Sequence, residues 1–341
     1  MHNPSVTIIV PCRNERSHIE AAVLSILSQQ NVPGSFEIVV ADGMSDDGTK
    51  EVLELIAARE PRLRIIDNPG RIVSTGLNAA IAAARGNIII RMDAHTEYAE
   101  DYIKQCVEVL ERSGADNVGG PWSAKGRSYL QKAIALAFQF PFSSGGAGSH
   151  RLDYEGEVDS VYLGCWRKAY LERLGLFDEE LVRNQDDELN LRLVRSGGRL
   201  WQSPSIRSSY FPRSSLLALF RQQAQYGYWK VRVIQKHRIP ASLRHLVPGG
   251  FVGAVLLLGV LLPFSKWAGL ALSGLLGSYL LANVGATLVC CQSAAYWKYI
   301  PVMPSVFAAY HFGYGWGFLR GMFDFLLLKR TGGQQYRSLT R

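Results

Sequence analysis

The sequence predicts an α/β protein in which a mostly parallel sheet carries helices on both faces, with membrane helices after it. Three observations predict this. Four short runs of branched apolar residues, Val6 to Val10, Phe36 to Ala41, Leu63 to Ile66 and Ile88 to Ile90, alternate with helix-spaced apolar patterns over 17–29, 49–58 and 76–84. The runs are nearly continuous in apolar residues, as strands buried on both faces require. Right-handed crossovers then give a parallel sheet whose strand-end loops collect along one edge. The chain beyond residue 245 becomes apolar over stretches long enough to span a bilayer.

At 341 residues the chain can hold one large domain or two. Its charge is uneven: residues 1–245 hold 30 Lys and Arg against 28 Asp and Glu, whereas 246–341 hold 7 against 1, so most of the net +8 sits in the tail. A nucleic-acid-binding protein would carry a basic stripe on its folded domain, so nucleic acid is excluded as a partner. Basic residues flanking apolar segments fit a membrane protein. Cys12, Cys106, Cys165, Cys290 and Cys291 contain no C-x-x-C pair and no zinc spacing, which points to a reducing compartment. The first apolar run is too short for a signal-peptide core, so the first domain is expected to stay in the cytoplasm.

Three polar clusters follow strands and are expected at one sheet edge: Pro11-Cys12-Arg13-Asn14-Glu15, Asp42-Gly43-Met44-Ser45-Asp46-Asp47-Gly48-Thr49 and Asp93-Ala94-His95. In an open α/β sheet ligands bind beyond the carboxyl ends of the strands. Asp93 and His95, two residues apart, would point to the same side, which is a metal-ligand spacing. Taken alone the pair is read equally well as a turn, with Asp93 a helix cap and His95 on the surface. Asp42, at a buried strand end, is placed to accept a hydrogen bond from a base or ribose, while Asp46 and Asp47 read as caps of the next helix. Neither G-x-G-x-x-G nor G-x-x-x-x-G-K-[ST] occurs, which disfavours a dinucleotide cofactor and a P-loop ATPase.

These clusters, continued by Gly164-Cys165-x-Arg167 and Gly175-Leu176-Phe177-Asp178-Glu179, resemble the family 2 glycosyltransferases of the GT-A fold, and among them the bacterial succinoglycan-type exopolysaccharide transferases. The resemblance covers roughly the first two thirds of the chain. It implies that Pro11, Arg13, Glu15, Asp42 and Asp93 hold the nucleotide of an activated sugar, and that Asp93 and His95 stand at the D-x-D metal motif. With His95 in place of the second acid, Mn2+ is expected at least as readily as Mg2+, because imidazole suits first-row ions and Mg2+ prefers oxygen.

In Asn184-Gln185-Asp186-Asp187-Glu188-Leu189, the apolar Leu189, Leu193 and Val194 are at helical spacing, so the acids begin a helix, where its dipole favours carboxylates. Capping alone would explain them. The run also resembles the family's E-D-x-D-L-x-x-R-L motif, with Gln185 replacing the Glu and Glu188 the second Asp. By that match Asp186 is the general base of an inverting transfer, and Asp187 and Glu188 are acceptor-binding or helix-capping residues.

Between these motifs, 143–150 is glycine-rich and reads as a lid loop. Residues 213–245 alternate Leu216, Leu217, Phe220, Tyr228, Val231 and Ile234 with Arg221, Lys230, Arg232, Lys236 and Arg238. They fit an anionic membrane surface, with Arg221 an acceptor-binding candidate, and equally a basic helix packed on its own domain. The stretch resembles the Q-x-x-R-W motif of processive synthases only loosely, since the Arg is missing. Leu246 to Ser265 and Trp267 to Trp297 can each span a bilayer, and Tyr299 to Leu319, interrupted by Pro301 and Pro304, can span or lie at the interface. Lys236, Arg238 and Arg244 before the first span, with Lys329, Arg330, Arg337 and Arg341 at the end, favour both termini inside.

The sequence therefore divides into a cytoplasmic GT-A domain (1–212), a basic amphipathic surface segment (213–245), a membrane region of two or three helices (246–330) and a polar tail (331–341). It is expected to be an inner-membrane enzyme that moves a hexose from a nucleotide sugar, such as UDP-glucose, to a polyprenyl-diphosphate-linked saccharide with Mn2+ or Mg2+. A processive polysaccharide synthase and a catalytically inactive nucleotide-sugar-binding scaffold are the alternatives.

Overall fold

The computed structural model describes residues 5–330, 332, 333 and 336. Arg337, Arg341 and most of the tail at 331–341 lie outside the described residues. In chain order the strands are β1 (Val6–Cys12), β2 (Phe36–Asp42), β3 (Leu63–Asp67), β4 (Ile88–Arg91), β5 (Thr96–Tyr98), β6 (Asn117–Gly120), β7 (Gly156–Glu157), β8 (Tyr162–Arg167), β9 (Leu200–Gln202) and β10 (Ser208–Tyr210). The helices are α1 (Ile19–Leu27), α2 (Thr49–Ala57), α3 (Val73–Ala83), α4 (Tyr102–Ser113), α5 (Tyr129–Gln139), α6 (Pro141–Ser144), α7 (Lys168–Leu174), α8 (Gln185–Arg195), α9 (Leu216–His237), α10 (Val247–Leu261), α11 (Lys266–Cys290) and α12 (Met303–Gly321).

Two compact units result, Met1–Ser123 with Ala147–Tyr210, and Ala124–Gly146 with Phe211–Arg341. Residues 124–146, which the sequence groups with the α/β domain, thus fall in the second unit. The glycine-rich 143–150 segment is divided between the units and contains part of α6 and a single 3-10 turn at Gly148–His150.

In the first unit an eight-stranded sheet has the order β3-β2-β1-β4-β8-β6-β9-β7. β3, β2, β1 and β4 are parallel, and β8 runs antiparallel between β4 and β6. Every residue of β2 is buried, and so is all of β1 but Pro11. Alternate side chains divide between two cores. Ile8, Val10, Ile38 and Val40 meet Ile19, Val23, Ile103 and Leu110 on one face, while Ile9, Val39, Ala41 and Ile89 meet Leu77, Ile81, Leu171 and Leu189 on the other. Each buried aliphatic side chain contributes about 1.5–3 kcal/mol, so a one-residue slip, which exchanges the two faces, is strongly disfavoured. The register pairs Cys12 with Asp42 and Asp42 with Asp67, and it sets Ile9 beside Arg91. The loops after β1, β2 and β4 therefore leave from one edge.

In the second unit α9 and α12 pack through small residues four apart. A Cβ at Gly313 would lie 2.7 Å from the Phe220 carbonyl oxygen, one at Gly321 would lie 2.6 Å from that of Tyr228, and one at Gly317 would collide with that of Ala224. Gly227 of α9 reciprocates against Tyr314. This close approach buries Met303, Val306, Phe307, Tyr310 and Phe318 of α12, so much of the third apolar stretch of the sequence is packed against protein. Burial of Leu219, Ala224, Tyr228, Trp229, Val231 and Val233 likewise accounts for much of the apolar face of α9, and Lys230, which the sequence offers to a membrane surface, is buried with them. By contrast Leu243–Leu261 and Lys266–Cys290 are long and apolar enough to cross a membrane, and 11% of each window is buried. Leu256, Leu257, Val260, Leu270, Leu280 and Leu281 are exposed along them.

Gly317→Leu should destabilise the second unit by about 3 kcal/mol or more, because the backbones must separate to admit the side chain. Gly274→Ala in α11, with open space around it, should change stability by no more than about 1 kcal/mol. Thermal unfolding of both variants in detergent compares them directly.

Candidate active site

The loop after β1 and the loop after β2 are laced together. Asn14 Nδ2 donates to Asp46 Oδ1 at 2.9 Å, and the Asp46 amide donates back to Asn14 Oδ1 at 3.0 Å. The Glu15 amide donates to Thr49 Oγ1 at 2.8 Å and the Arg16 amide to Asp47 Oδ2 at 3.2 Å. Asp47 also receives the Thr49 amide at 3.0 Å, so it serves the start of α2 as the sequence suggests, whereas Asp46 bridges to Asn14. Gly48 precedes the helix with φ 90°, a conformation that L side chains rarely adopt.

Asp42 is fully buried beneath this lacing. Its Oδ1 accepts the Ser45 hydroxyl at 2.5 Å and the Cys12 thiol at 3.8 Å, and its Oδ2 accepts the Ser45 amide at 3.0 Å. Burial, then the negative charges of Asp42 and Glu15, push the Cys12 thiol far above its ordinary pKa, so it stays protonated. Pro11, Arg13 and Glu15 are partly exposed, and the Arg13 stem lies against Gly43.

Asp93 follows β4 and is fixed by its neighbours. Its amide donates to Tyr98 Oη at 2.5 Å, and that hydroxyl donates to the Asp93 carbonyl at 3.1 Å. The carboxylate accepts two parallel bonds from Arg91, Nε to Oδ1 at 2.9 Å and Nη2 to Oδ2 at 3.0 Å. Burial alone would raise the Asp93 pKa, but the Arg91 charge and hydrogen bonds, with His95 and Arg183 adding to them, hold it below the usual carboxylate range. His95 is half-exposed, and its Nδ1 lies 4.0 Å from Glu15 Oε1, which joins the third loop to the first.

The first turn of α8 reaches the same place. Asp186 is near enough to Arg91 for their charges to interact, as Arg183 is to Asp93. Several bonds position this turn. Ser74 Oγ donates to the Leu181 carbonyl at 3.0 Å, and Asn78 binds Phe177 through both its amide and its carbonyl. Glu188, only 1% exposed, grips Arg192 at 3.0 and 2.7 Å, and Arg192 in turn donates to the carbonyls of Leu174 and Leu176 at 2.5 Å each. Glu188 therefore braces the preceding loop through Arg192. Asp187 is partly exposed beside Asp186 Oδ1, which accepts its amide at 2.9 Å. Gln185 is buried, and its Oε1 has no hydrogen-bond partner among the described residues. A ligand hydroxyl would satisfy it.

The structure thus sets His95 beside Glu15, Asp93 on Arg91 and Asp186 within charge range of Arg91, keeps Asp42 buried beneath the loops, and puts the exposed Arg221 on α9 of the other unit. Arg91 and Arg183 are additions from the structure: Arg91 grips Asp93, and Arg183 acts on the same carboxylate. Among the described residues no three His, Cys, Asp or Glu side chains form a ready-made cation cage. Asp93 and His95 offer one oxygen and one imidazole nitrogen, which fits a first-row divalent ion whose other ligands come from a diphosphate.

Comparison with known proteins gives one answer. The model of the family described as Glycosyl transferase family 2 matches residues 7–174. The succinoglycan biosynthesis protein ExoA of Rhizobium meliloti is 33% identical over 94% of this chain and 96% of its own length. A dolichyl N-acetyl-alpha-D-glucosaminyl phosphate 3-beta-D-2,3-diacetamido-2,3-dideoxy-beta-D-glucuronosyltransferase of Methanococcus voltae is 27% identical over 72% of this chain and 78% of its own. Among solved structures, a mannosyltransferase of Pyrobaculum calidifontis in complex with GDP-Man and Mn2+ superposes with a TM-score of 0.60 at 20% identity, covering 92% of this chain and 88% of that one. At that identity the likeness establishes the GT-A type of fold.

Glu188→Ala strands a partly buried Arg192 charge and should cost about 2–3 kcal/mol of stability, after allowance for solvent around the guanidinium. Asp187→Asn should stay within about 0.5 kcal/mol of the parent. Chemical denaturation followed by tryptophan fluorescence separates the two.

Proposed function

Because the chain is a member of glycosyl transferase family 2 and so a glycosyltransferase, we propose that it transfers a hexose, with inversion, from a UDP-sugar to a saccharide carried on a polyprenyl diphosphate at the cytoplasmic face of the inner membrane. One observation carries this reading: the β1, β2 and β4 loops and the first turn of α8 converge, with Asp186 within charge range of the Arg91–Asp93 pair. The ExoA relative, a succinoglycan biosynthesis protein, supports an exopolysaccharide role, and the Methanococcus relative, named for a dolichyl phosphate sugar, supports a lipid-linked acceptor. The exposed apolar surfaces of α10 and α11 support membrane anchoring.

In this reading Pro11, Arg13 and Glu15 line the nucleotide, and Asp42 holds the Ser45 turn against it. Asp93 and His95 hold a divalent ion, Mn2+ or Mg2+. When bound, that ion offsets the charge of the departing nucleoside diphosphate as a Lewis acid. The Pyrobaculum complex with GDP-Man and Mn2+ supports the choice of metal. The Asp186 carboxylate takes the proton of the acceptor hydroxyl as its oxygen bonds to the anomeric carbon and the bond to the diphosphate breaks on the opposite face. Gln185 Oε1, buried and without a hydrogen-bond partner among the described residues, accepts a hydrogen bond from a sugar hydroxyl.

Asp186→Asn should retain UDP binding and lose transfer by about 100-fold or more, since it removes the base and leaves the nucleotide loops intact. The assay is single-sugar addition to a polyprenyl diphosphate saccharide by detergent-solubilised protein with Mn2+ and a panel of nucleotide sugars. Undiminished turnover in Asp186→Asn would overturn the base assignment, and long polymer made from one donor would overturn single addition.

A further inference from the structure

Each oxygen of Asp93 already accepts a hydrogen bond from a cation. The guanidinium of Arg91 faces both in a planar fork, with Nε–Oδ1 at 2.9 Å and Nη2–Oδ2 at 3.0 Å. Arg91 is only 7% exposed, so it is not a surface side chain drawn in by chance. We infer that Arg91 is an internal stand-in for the cation: it holds Asp93 in the nucleotide-free protein and yields it when a divalent ion arrives on a nucleoside diphosphate. Ion and nucleotide then bind as a pair rather than separately. The inference rests on the functional reading above and deepens it.

Three features argue for it. A free cation approaching Asp93 meets the positive charges of Arg91 and Arg183, both close enough to act on that carboxylate, and their repulsion cancels much of the carboxylate's attraction. Among the described residues no third carboxylate, imidazole or thiolate completes a cage that would offset that repulsion. A diphosphate changes both terms, because its oxygens complete the coordination and its negative charge neutralises the surrounding arginines.

Arg91 also has somewhere to go. Asp186 acts on it electrostatically, so a guanidinium released from Asp93 keeps an anionic neighbour without leaving the protein. Arrival of the metal nucleotide thus shifts the charge of Arg91 from the metal-binding side of the site toward the base. Arg91 is in this sense a positioning residue, acting through Asp93 and Asp186.

The test is equilibrium binding, read without catalysis. The electron paramagnetic resonance signal of free Mn2+ is titrated with solubilised protein in the presence and absence of UDP or GDP. Wild type should bind Mn2+ at least about tenfold more tightly with the nucleotide than without it, and by reciprocity Mn2+ should raise nucleotide affinity by the same factor. Arg91→Met should bind Mn2+ about tenfold more tightly than wild type when no nucleotide is present and show a smaller mutual enhancement. Adding Asp93→Asn to Arg91→Met should abolish the gain. If Arg91→Met fails to fold, Arg91→Lys, which keeps the charge without the fork, should show an intermediate gain.

Wild-type Mn2+ affinity that is indifferent to nucleotide, or nucleotide-free affinity that is unchanged in the Arg91 variant that folds, would overturn the inference alone. Failure of wild type to bind Mn2+ and either nucleotide in any combination would overturn the functional reading beneath it.

Discussion

The pairing of β1 between β2 and β4 is the constraint from which the site follows. The three strands are parallel and buried on both faces, and their register brings the loops that carry Glu15, Asp42, Asp93 and His95 to one edge. Because side chains alternate, the register that fills two cores also decides which residues reach that edge. The loops are then joined to each other: Asn14 and Asp46 exchange two hydrogen bonds, and His95 approaches Glu15. Strand pairing supplies the direction, and the loop lacing supplies the positions.

The chemistry of the site is a matter of balancing buried charge. Asp93 is ionised because Arg91 outweighs the cost of its burial, and Asp186 and Arg183 add a second carboxylate and a second cation nearby. Such a cluster is close to neutral without a ligand, so it neither attracts a bare metal ion strongly nor expels a diphosphate. The Glu188–Arg192 pair has a different task, since it fixes the carbonyls of Leu174 and Leu176 and with them the approach to α8. In the proposed reading two acids two residues apart divide between proton transfer and scaffolding: Glu188 is buried against Arg192, whereas Asp186 is partly exposed.

Much of this was legible in the sequence, for identifiable reasons. Val6 to Val10, Phe36 to Ala41 and Ile88 to Ile90 are continuous apolar runs bounded by polar turns, and the strands extend only one or two residues beyond them. Asp93, His95 and Asp186 stand out as candidates in the sequence because ordered motifs carry them. Arg91 does not, because a buried arginine at a strand end is unremarkable until its partner is seen. Glu188 was ambiguous for a related cause: its pairing with Arg192 at i+4 looks the same in sequence whether exposed or buried. In the tail, apolar composition alone did not separate α12 from α10 and α11. The separation comes from Gly313, Gly317 and Gly321, whose four-residue spacing signals close helix packing but does not name α9 as the partner.

The central claim is that the three strand-end loops hold a nucleoside diphosphate whose metal bridges to Asp93 and His95. The most direct measurement is a structure of the protein with UDP and Mn2+, with anomalous scattering used to locate the ion. The account predicts an anomalous peak within coordination distance, about 2.0–2.3 Å, of one Asp93 oxygen and one His95 nitrogen, with diphosphate oxygens completing the shell. A nucleotide bound in these loops with the peak on neither residue, or a peak at Asp93 with Arg91 still forked across both its oxygens, would contradict it.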